Sequence, residues 1–213
     1  MKTLSQTPIF ALLVLLPVLI QVSNTSATDQ TTNSNQTMNS NQTDIDYIKT
    51  SCNVTLYQTL CCTSLYPYAS LIDSNPEKLA NTALNLTLSE TKSAQKFVKF
   101  ISRHRQGSFT PREAAAMEDC MEEMSDSVYE LKDSVNELKT INYSSFEMVM
   151  SDVQTWVSAA LTDEDTCMEG FEEGGGEART EIKELVRKHI DRVACMTSNA
   201  LALINMYASI HRD

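Results

Sequence analysis

The stretch PREAAAMEDCMEEMSDSVYELKDSVNELK, residues 111–139, decides the fold. Pro111 follows Thr110, pairing a good N-cap with a good first-turn residue, and Glu113 stands at the capping-box position. Apolar side chains then recur at Ala114, Met117, Met121, Met124, Val128, Leu131, Val135 and Leu138, in alternating steps of three and four. Such a seam repeats every 3.5 residues, the period of a helix packed lengthwise against its partners.

Working outward, a second seam runs through Ile182, Val186, His189, Val193, Met196, Ala200, Leu203, Tyr207 and Ile210. Leu185, Ile190, Leu201 and Ile204 widen it, so this last helix is expected to bury a broad face. Two weaker helices complete the set. One spans about 76–104, with Leu79, Ala83, Leu86, Phe97 and Ile101 facing inward. The other spans about 146–161, with Phe146, Val149, Val153, Trp156, Val157 and Ala160 inward. Gly174-Gly175-Gly176 breaks the chain before the last helix. Strand signals are almost absent, and short connections favour antiparallel neighbours. The expectation is an all-α fold: an antiparallel up-down four-helix bundle over 75–210. A short helical hairpin over 47–74 precedes it, broken at Tyr66-Pro67.

The first 46 residues read differently. Lys2 precedes an apolar run from Ile9 to Ile20, and Thr25-Ser26-Ala27 suits a peptidase site. The run is too short to span a bilayer, which takes roughly 20 apolar residues. Residues 1–27 are therefore expected to be a cleaved signal peptide, leaving a secreted chain with no membrane attachment. Residues 28–46 are dominated by Thr, Asn, Ser and Gln, and are expected to form a disordered arm. Asn-x-Ser/Thr triplets begin at Asn24, Asn35, Asn41, Asn53, Asn85 and Asn142, the candidate glycan acceptors.

The formal net charge is −11 over 213 residues. Such a balance argues against nucleic acid, whose affinity comes mainly from Lys and Arg neutralising phosphates. Taken as a total, it equally disfavours attachment to an anionic polysaccharide. A cationic protein partner is the better electrostatic match. The acids Glu118, Glu122, Glu123, Asp126, Glu130, Asp133 and Glu137 lie off the seam of 111–139. They read either as a solvated face or as a docking face for a basic enzyme.

No catalytic constellation emerges. His104, His189 and His211 stand in no local motif, and His189 falls on an apolar seam. Arg103-His104-Arg105 suits the C-terminal turn of a helix. Met117, Met121 and Met124 are core packing, and the glycine run lacks the strand and lysine of a phosphate loop. The six cysteines, Cys52, Cys61, Cys62, Cys120, Cys167 and Cys195, show no paired CxxC spacing that would hold zinc. In a secreted chain they suggest disulfides, but six cysteines allow 15 pairings. The reading is a non-enzyme with no metal and no cofactor.

Four segments carry a family resemblance. Cys52-Asn53-Val54-Thr55-Leu56-Tyr57-Gln58-Thr59-Leu60-Cys61 resembles the N-terminal hairpin signature of the plant invertase and pectin methylesterase inhibitors. Ala116-Met117-Glu118-Asp119-Cys120 is similar to the segment holding that family's third cysteine. Val153 to Thr162, running on to Thr166-Cys167-Met168-Glu169-Gly170-Phe171, is similar to the segment holding its fourth. Thr197-Ser198-Asn199-Ala200-Leu201-Ala202-Leu203 resembles its C-terminal helix, so the likeness covers about 47–210. The inhibitor domain is accordingly expected over 47–213.

The resemblance implies disulfides Cys52–Cys61 and Cys120–Cys167. Cys195 matches a position where some members carry an unpaired thiol. Cys62 departs from the pattern: it is expected free and buried, with competition for Cys52 or pairing with Cys195 as the alternatives. The resemblance also implies a protein secreted to the apoplast and cell wall. There it would form a reversible one-to-one complex that covers the substrate cleft of pectin methylesterase. The implied contact residues are Glu122, Asp126, Gln154 and Thr166. Gln154 replaces an Asn, and Tyr129 stands where one well-known inhibitor has an acid. Acid invertase is the alternative target, and a non-inhibitory cell-wall interaction protein of the same fold is a third reading. Many invertase inhibitors carry Pro-Lys-Phe between the second and third bundle helices. Here the stretch reads Asn142-Tyr143-Ser144-Ser145-Phe146, which favours the esterase branch.

Overall fold

A computed structural model describes residues 42–172 and 181–210. The signal-peptide expectation, the sequons at Asn24, Asn35 and Asn41, the Gly174–Gly176 linker and His211 lie outside these residues. Among the described residues all regular structure is helical, with no strand. Residues 42–51 form α1. Then come α2 (Gln58–Leu65), α3 (Ala69–Ile72), α4 (Pro76–Arg105), α5 (Pro111–Leu138), α6 (Phe146–Glu172) and α7 (Glu181–Ser209). Short 3-10 turns occupy Cys52–Val54, Tyr66–Tyr68 and Gln106–Ser108.

Local chemistry sets the helix ends. At the start of α5 the Glu113 backbone N–H donates to Thr110 Oγ1 at 3.2 Å. The Glu113 carboxylate in turn accepts from the Thr110 N–H at 2.8 Å, completing the box expected from sequence. Arg103, His104 and Arg105 occupy the last turn of α4, where the helix dipole favours positive charge. Between α3 and α4, Asp73 and Ser74 adopt positive φ (54° and 49°). Lys78 Nζ holds the Asp73 carboxylate at 2.9 Å, and Ser74 Oγ donates to Asp44 Oδ1 at 2.7 Å. These bonds offset the strain of two left-handed residues that are not glycine.

The four long helices pack in a ring, α4 on α5, α5 on α6, α6 on α7 and α7 on α4, with α5–α6 the most extensive pair. Their core divides along the axis. One end is filled by Leu84, Leu88, Leu131, Val135, Val153, Val157 and Ile204, the other by Val98, Met117, Met124, Val186 and Ile190. A third cluster seats the N-terminal helices on α4 and α7, through Ile48, Leu65, Ile72, Leu79 and Leu203.

Two boundaries differ from the sequence reading. Residues 42–46, expected to belong to the 28–46 arm, are helical and part of α1, and the rest of that stretch lies outside the described residues. Their polar composition hid two anchors, Asp44, buried and bonded to Ser74, and Ile45, packed against the hairpin cluster. The helix expected over 146–161 continues to Glu172. The apolar pattern lapses at Thr162-Asp163-Glu164-Asp165-Thr166, yet Glu164 points inward and Cys167 and Met168 resume the buried face. Leu86, Phe97, Phe146 and Trp156, expected inward, are half-buried, and Ala114 and Ile210, expected on the apolar seams, are exposed near the ends of α5 and α7.

Cys52 is bonded to Cys61 and Cys120 to Cys167, with Cα–Cα distances of 5.8 and 4.1 Å. Cys62 and Cys195 are free and half-buried, so the fully buried thiol expected at Cys62 is not found. The hairpin tip is tied to α7 by the buried amide of Asn199. Its Oδ1 accepts from the Tyr57 N–H at 3.0 Å, while its Nδ2 donates to the Tyr57 carbonyl at 3.0 Å.

If the bridges stabilise chiefly by restricting the unfolded chain, the longer loop contributes more. Chain-entropy arithmetic gives about 4 kcal/mol for the 47-residue separation of Cys120–Cys167 and about 3 for the 9-residue separation of Cys52–Cys61. Urea unfolding of the paired Cys→Ala variants should rank them in that order. Greater damage from losing the short loop would show that the bridge acts on native packing instead.

Candidate functional site

Acidic side chains are concentrated on α5 and α6. Helix α5 carries nine acidic and two basic residues, and α6 carries seven acidic residues and no basic one. The apolar seam turns α5 so that Glu122 and Asp126, four residues apart, are exposed on its outer strip. Tyr129 follows at 64% exposure, and its hydroxyl bonds to Asp133, which raises its pKa.

The four contact residues implied by the family resemblance do not fall on one patch. Glu122 and Asp126 share the α5 strip. Thr166 is exposed on α6, with its hydroxyl donating back to the Thr162 carbonyl at 2.8 Å. Gln154 is half-buried, and its Nε2 donates to Asn205 Oδ1 of α7 at 2.7 Å. It therefore sits at the α6–α7 edge, about 18 Å along the axis from Thr166 at 1.5 Å per residue. A partner that reached both would have to lie across the length of α6.

Where α5 meets α6, carboxyl groups crowd together. Glu130 and Asp163 face each other across the interface with Glu123 beside them, and Glu130 Oε2 and Asp163 Oδ2 are buried with no other hydrogen-bond partner. Burial, followed by the nearby Asp163 charge, pushes Glu130 up to about 8. Burial raises Asp163 as well, although its bond to Glu130 opposes the shift. Glu123 is raised by burial and by the charges of Asp163 and Asp126. Like charges this close cannot all ionise at neutral pH, so the pair holds a proton that an exposed carboxyl would have released.

Deeper still, Glu164 is completely buried. Its Oε1 accepts from Ser127 Oγ of α5 at 2.9 Å and from Thr197 Oγ1 of α7 at 3.0 Å. Burial pushes its carboxyl up to about 8, against the lowering effect of both hydroxyls. A neutral carboxylic acid thus joins three helices. Sequence reasoning placed Glu123 and Glu130 on the acidic face but missed Asp163 and Glu164. The available signal was a helical phase that continues from Ala160 through Glu164 to Cys167.

Nothing in this arrangement builds a reaction centre. His189 is stacked on Phe97, with ring centroids 3.6 Å apart, and its Nδ1 meets the Leu185 carbonyl at 2.9 Å. It is a boundary histidine held by packing. Among the described residues no group of His, Cys, Asp and Glu could hold a metal ion. No helix among them is long and apolar enough to cross a membrane.

Comparison with known proteins adds four matches. The family described as "Plant invertase/pectin methylesterase inhibitor" matches residues 46–203. Pectinesterase inhibitor 10 of Arabidopsis thaliana is 58% identical over 174 residues, covering 80% of this chain. The chain spans only 54% of that relative's length. Pectinesterase inhibitor 4 of the same plant is 45% identical over 165 residues, covering 76% of this chain and 81% of the relative. A crystal structure of a mutant form of a pectin methylesterase inhibitor from Arabidopsis is similar in fold. Its TM-score is 0.57 at 22% identity, covering 73% of this chain and 93% of that one.

The buried acid has a thermodynamic consequence. Glu164 titrates near 8 when folded against an ordinary value of 4.5, so the folded chain holds a proton that the unfolded chain has released. Its contribution is fully present below pH 4.5 and is lost as pH rises from there to about 8, by at most about 1.4 kcal/mol per pH unit. Urea unfolding across that window should show falling stability, with a shallower slope in Glu164→Gln. An identical slope in the variant would mean that Glu164 is ionised in the folded chain.

Proposed function

Because the chain belongs to the plant invertase and pectin methylesterase inhibitor family, we propose that it is a secreted inhibitor of pectin methylesterase. The observation that carries this reading is the acidic outer strip of α5 around Glu122 and Asp126, in a chain whose relatives are named pectinesterase inhibitors. The chain acts by binding an enzyme, without chemistry of its own. The long helices form an antiparallel up-down four-helix bundle, preceded by the α1–α3 hairpin region. The complex is reversible and one-to-one, and the α5 and α6 faces cover the cleft through which the esterase takes up pectin.

Electrostatics gives the association its direction. An excess of seven acids on α5 and seven on the adjacent α6 attracts a cationic enzyme and speeds productive encounter. Contacts at Glu122 and Asp126 then orient the partner, with Thr166 and Gln154 as further points along α6. The place of action is the apoplast and cell wall, reached through removal of residues 1–27. Asn53, Asn85 and Asn142 are exposed and serve as glycan acceptors in this reading, alongside Asn24, Asn35 and Asn41. Relatives named for pectinesterase inhibition, together with Asn142-Tyr143-Ser144-Ser145-Phe146 in place of Pro-Lys-Phe, favour the esterase over acid invertase as the target.

The test is inhibition of purified plant pectin methylesterase by oxidised protein lacking residues 1–27, with an acid invertase alongside. Esterase activity should fall saturably near one equivalent while invertase is spared. Glu122→Ala with Asp126→Ala should weaken inhibition at least about tenfold, or ~1.4 kcal/mol. Unchanged inhibition by that folded variant would remove the α5 strip from the interface. Loss of invertase activity alone would reassign the target.

A further inference from the structure

The net charge conceals a segregated one. From Lys78 to Arg105, α4 carries six Lys or Arg residues and a single acid, Glu90. That acid is bonded to Arg192 of α7, with Nε 2.8 Å from its carboxylate. Lys92, Lys96, Lys99 and Arg103 follow one another in steps of four, three and four. This spacing places them in one strip along the helix, opposite the face that buries Ala94, Val98 and Ile101. The strip is about 16 Å long at 1.5 Å per residue. Lys92, Lys96 and Arg103 are exposed and Lys99 half-buried, and among the described residues none of the four has a carboxylate partner.

A cationic helix face kept merely for solubility usually intersperses acids, which lower the repulsion between neighbouring lysines. This strip has none. Beside it stands an aromatic platform: Phe100, 53% exposed, stacked on His104 with centroids 4.1 Å apart. A row of unpaired cations flanked by an exposed ring suits a linear polymer that carries carboxylates and also presents apolar ring faces. On the reading of the chain as a pectin methylesterase inhibitor, such a polymer is at hand, because ester hydrolysis converts neutral pectin into a polyuronate. We propose that the outer face of α4 binds de-esterified pectin through Lys92, Lys96, Lys99 and Arg103.

Screening removes the objection from net charge. The Debye length is about 8 Å at physiological ionic strength, and axes of neighbouring packed helices are already about 8–10 Å apart. Helix α4 packs on α5 and α7 in the ring, while the all-acidic α6 lies across the bundle from it. A polymer along α4 therefore meets mainly local charge. With the α5–α6 face left for the enzyme, the inhibitor would be held where the esterase has already acted.

The experiment uses full-length protein expressed with its leader, and calcium-free size-matched polygalacturonate and fully methylesterified pectin, in binding titrations at rising salt. Binding is expected to polygalacturonate only, to weaken steeply with salt, and to fall at least tenfold when Lys92, Lys96, Lys99 and Arg103 are all changed to Gln. Esterase inhibition, measured on the same samples, should be unchanged by these substitutions. Absence of low-salt binding to polygalacturonate, or equal binding by the variant, would overturn the proposal. So would strip-dependent binding to phosphatidylserine vesicles with none to the polymer. A sample that binds polygalacturonate through these residues yet inhibits no esterase would uphold the strip and sink the inhibitor reading instead.

Discussion

The lengthwise contact between α5 and α6 sets the position of most other parts of the molecule. It is the most extensive helix pair, closed near one end by Cys120–Cys167 and joined midway to α7 through the buried carboxyl of Glu164. Shape alone would allow two apolar seams to slide by a turn. A bridge and a hydrogen-bonded acid at fixed levels remove that freedom, since a slip would strand Glu164 away from Ser127 and Thr197 in an apolar interior. The apolar residues of the seam supply most of the burial, while these polar and covalent ties select one register.

The same contact gathers charge. Two helices rich in Asp and Glu are held edge to edge, so the outer acids face solvent and the edge acids face one another. The crowded acids respond by keeping protons. Glu130 and Glu164 both titrate near 8, which lowers the repulsion across the interface without a compensating cation. Exposed acids such as Glu122 and Asp126 are left to act outward. Helix α4, packed on α5 and across the bundle from α6, carries the opposite sign, and its one acid beyond Glu77 is neutralised by Arg192. The helical frame thus carries charge of opposite sign on separate faces.

The N-terminal helices close one side of this frame. Their attachment combines a small apolar cluster, the Cys52–Cys61 loop and the paired hydrogen bonds between Asn199 and the Tyr57 peptide. The free thiols of Cys62 and Cys195 are both half-buried.

Much of the fold was legible in the chain because helix formation and face selection are local. Thr110, Pro111 and Glu113 specify where α5 begins, and the seam from Met117 to Leu138 specifies which side it buries. The motifs around Cys52, Cys120, Cys167 and Thr197 were enough to identify the family. Three-dimensional packing decided what depends on residues distant in sequence. The extension of α6 to Glu172 was invisible because Thr162 to Thr166 reads as polar, and only the hydroxyls of Ser127 and Thr197 make an inward Glu164 tolerable. The helical conformation of 42–46 is tied to Asp44 meeting Ser74, thirty residues away. The candidate site divides likewise. Its acidic character is a property of composition, but whether an acid faces solvent, a neighbouring acid or the core depends on how the helices are turned against one another. That rotation follows from the burial of whole apolar faces, and no short segment contains it.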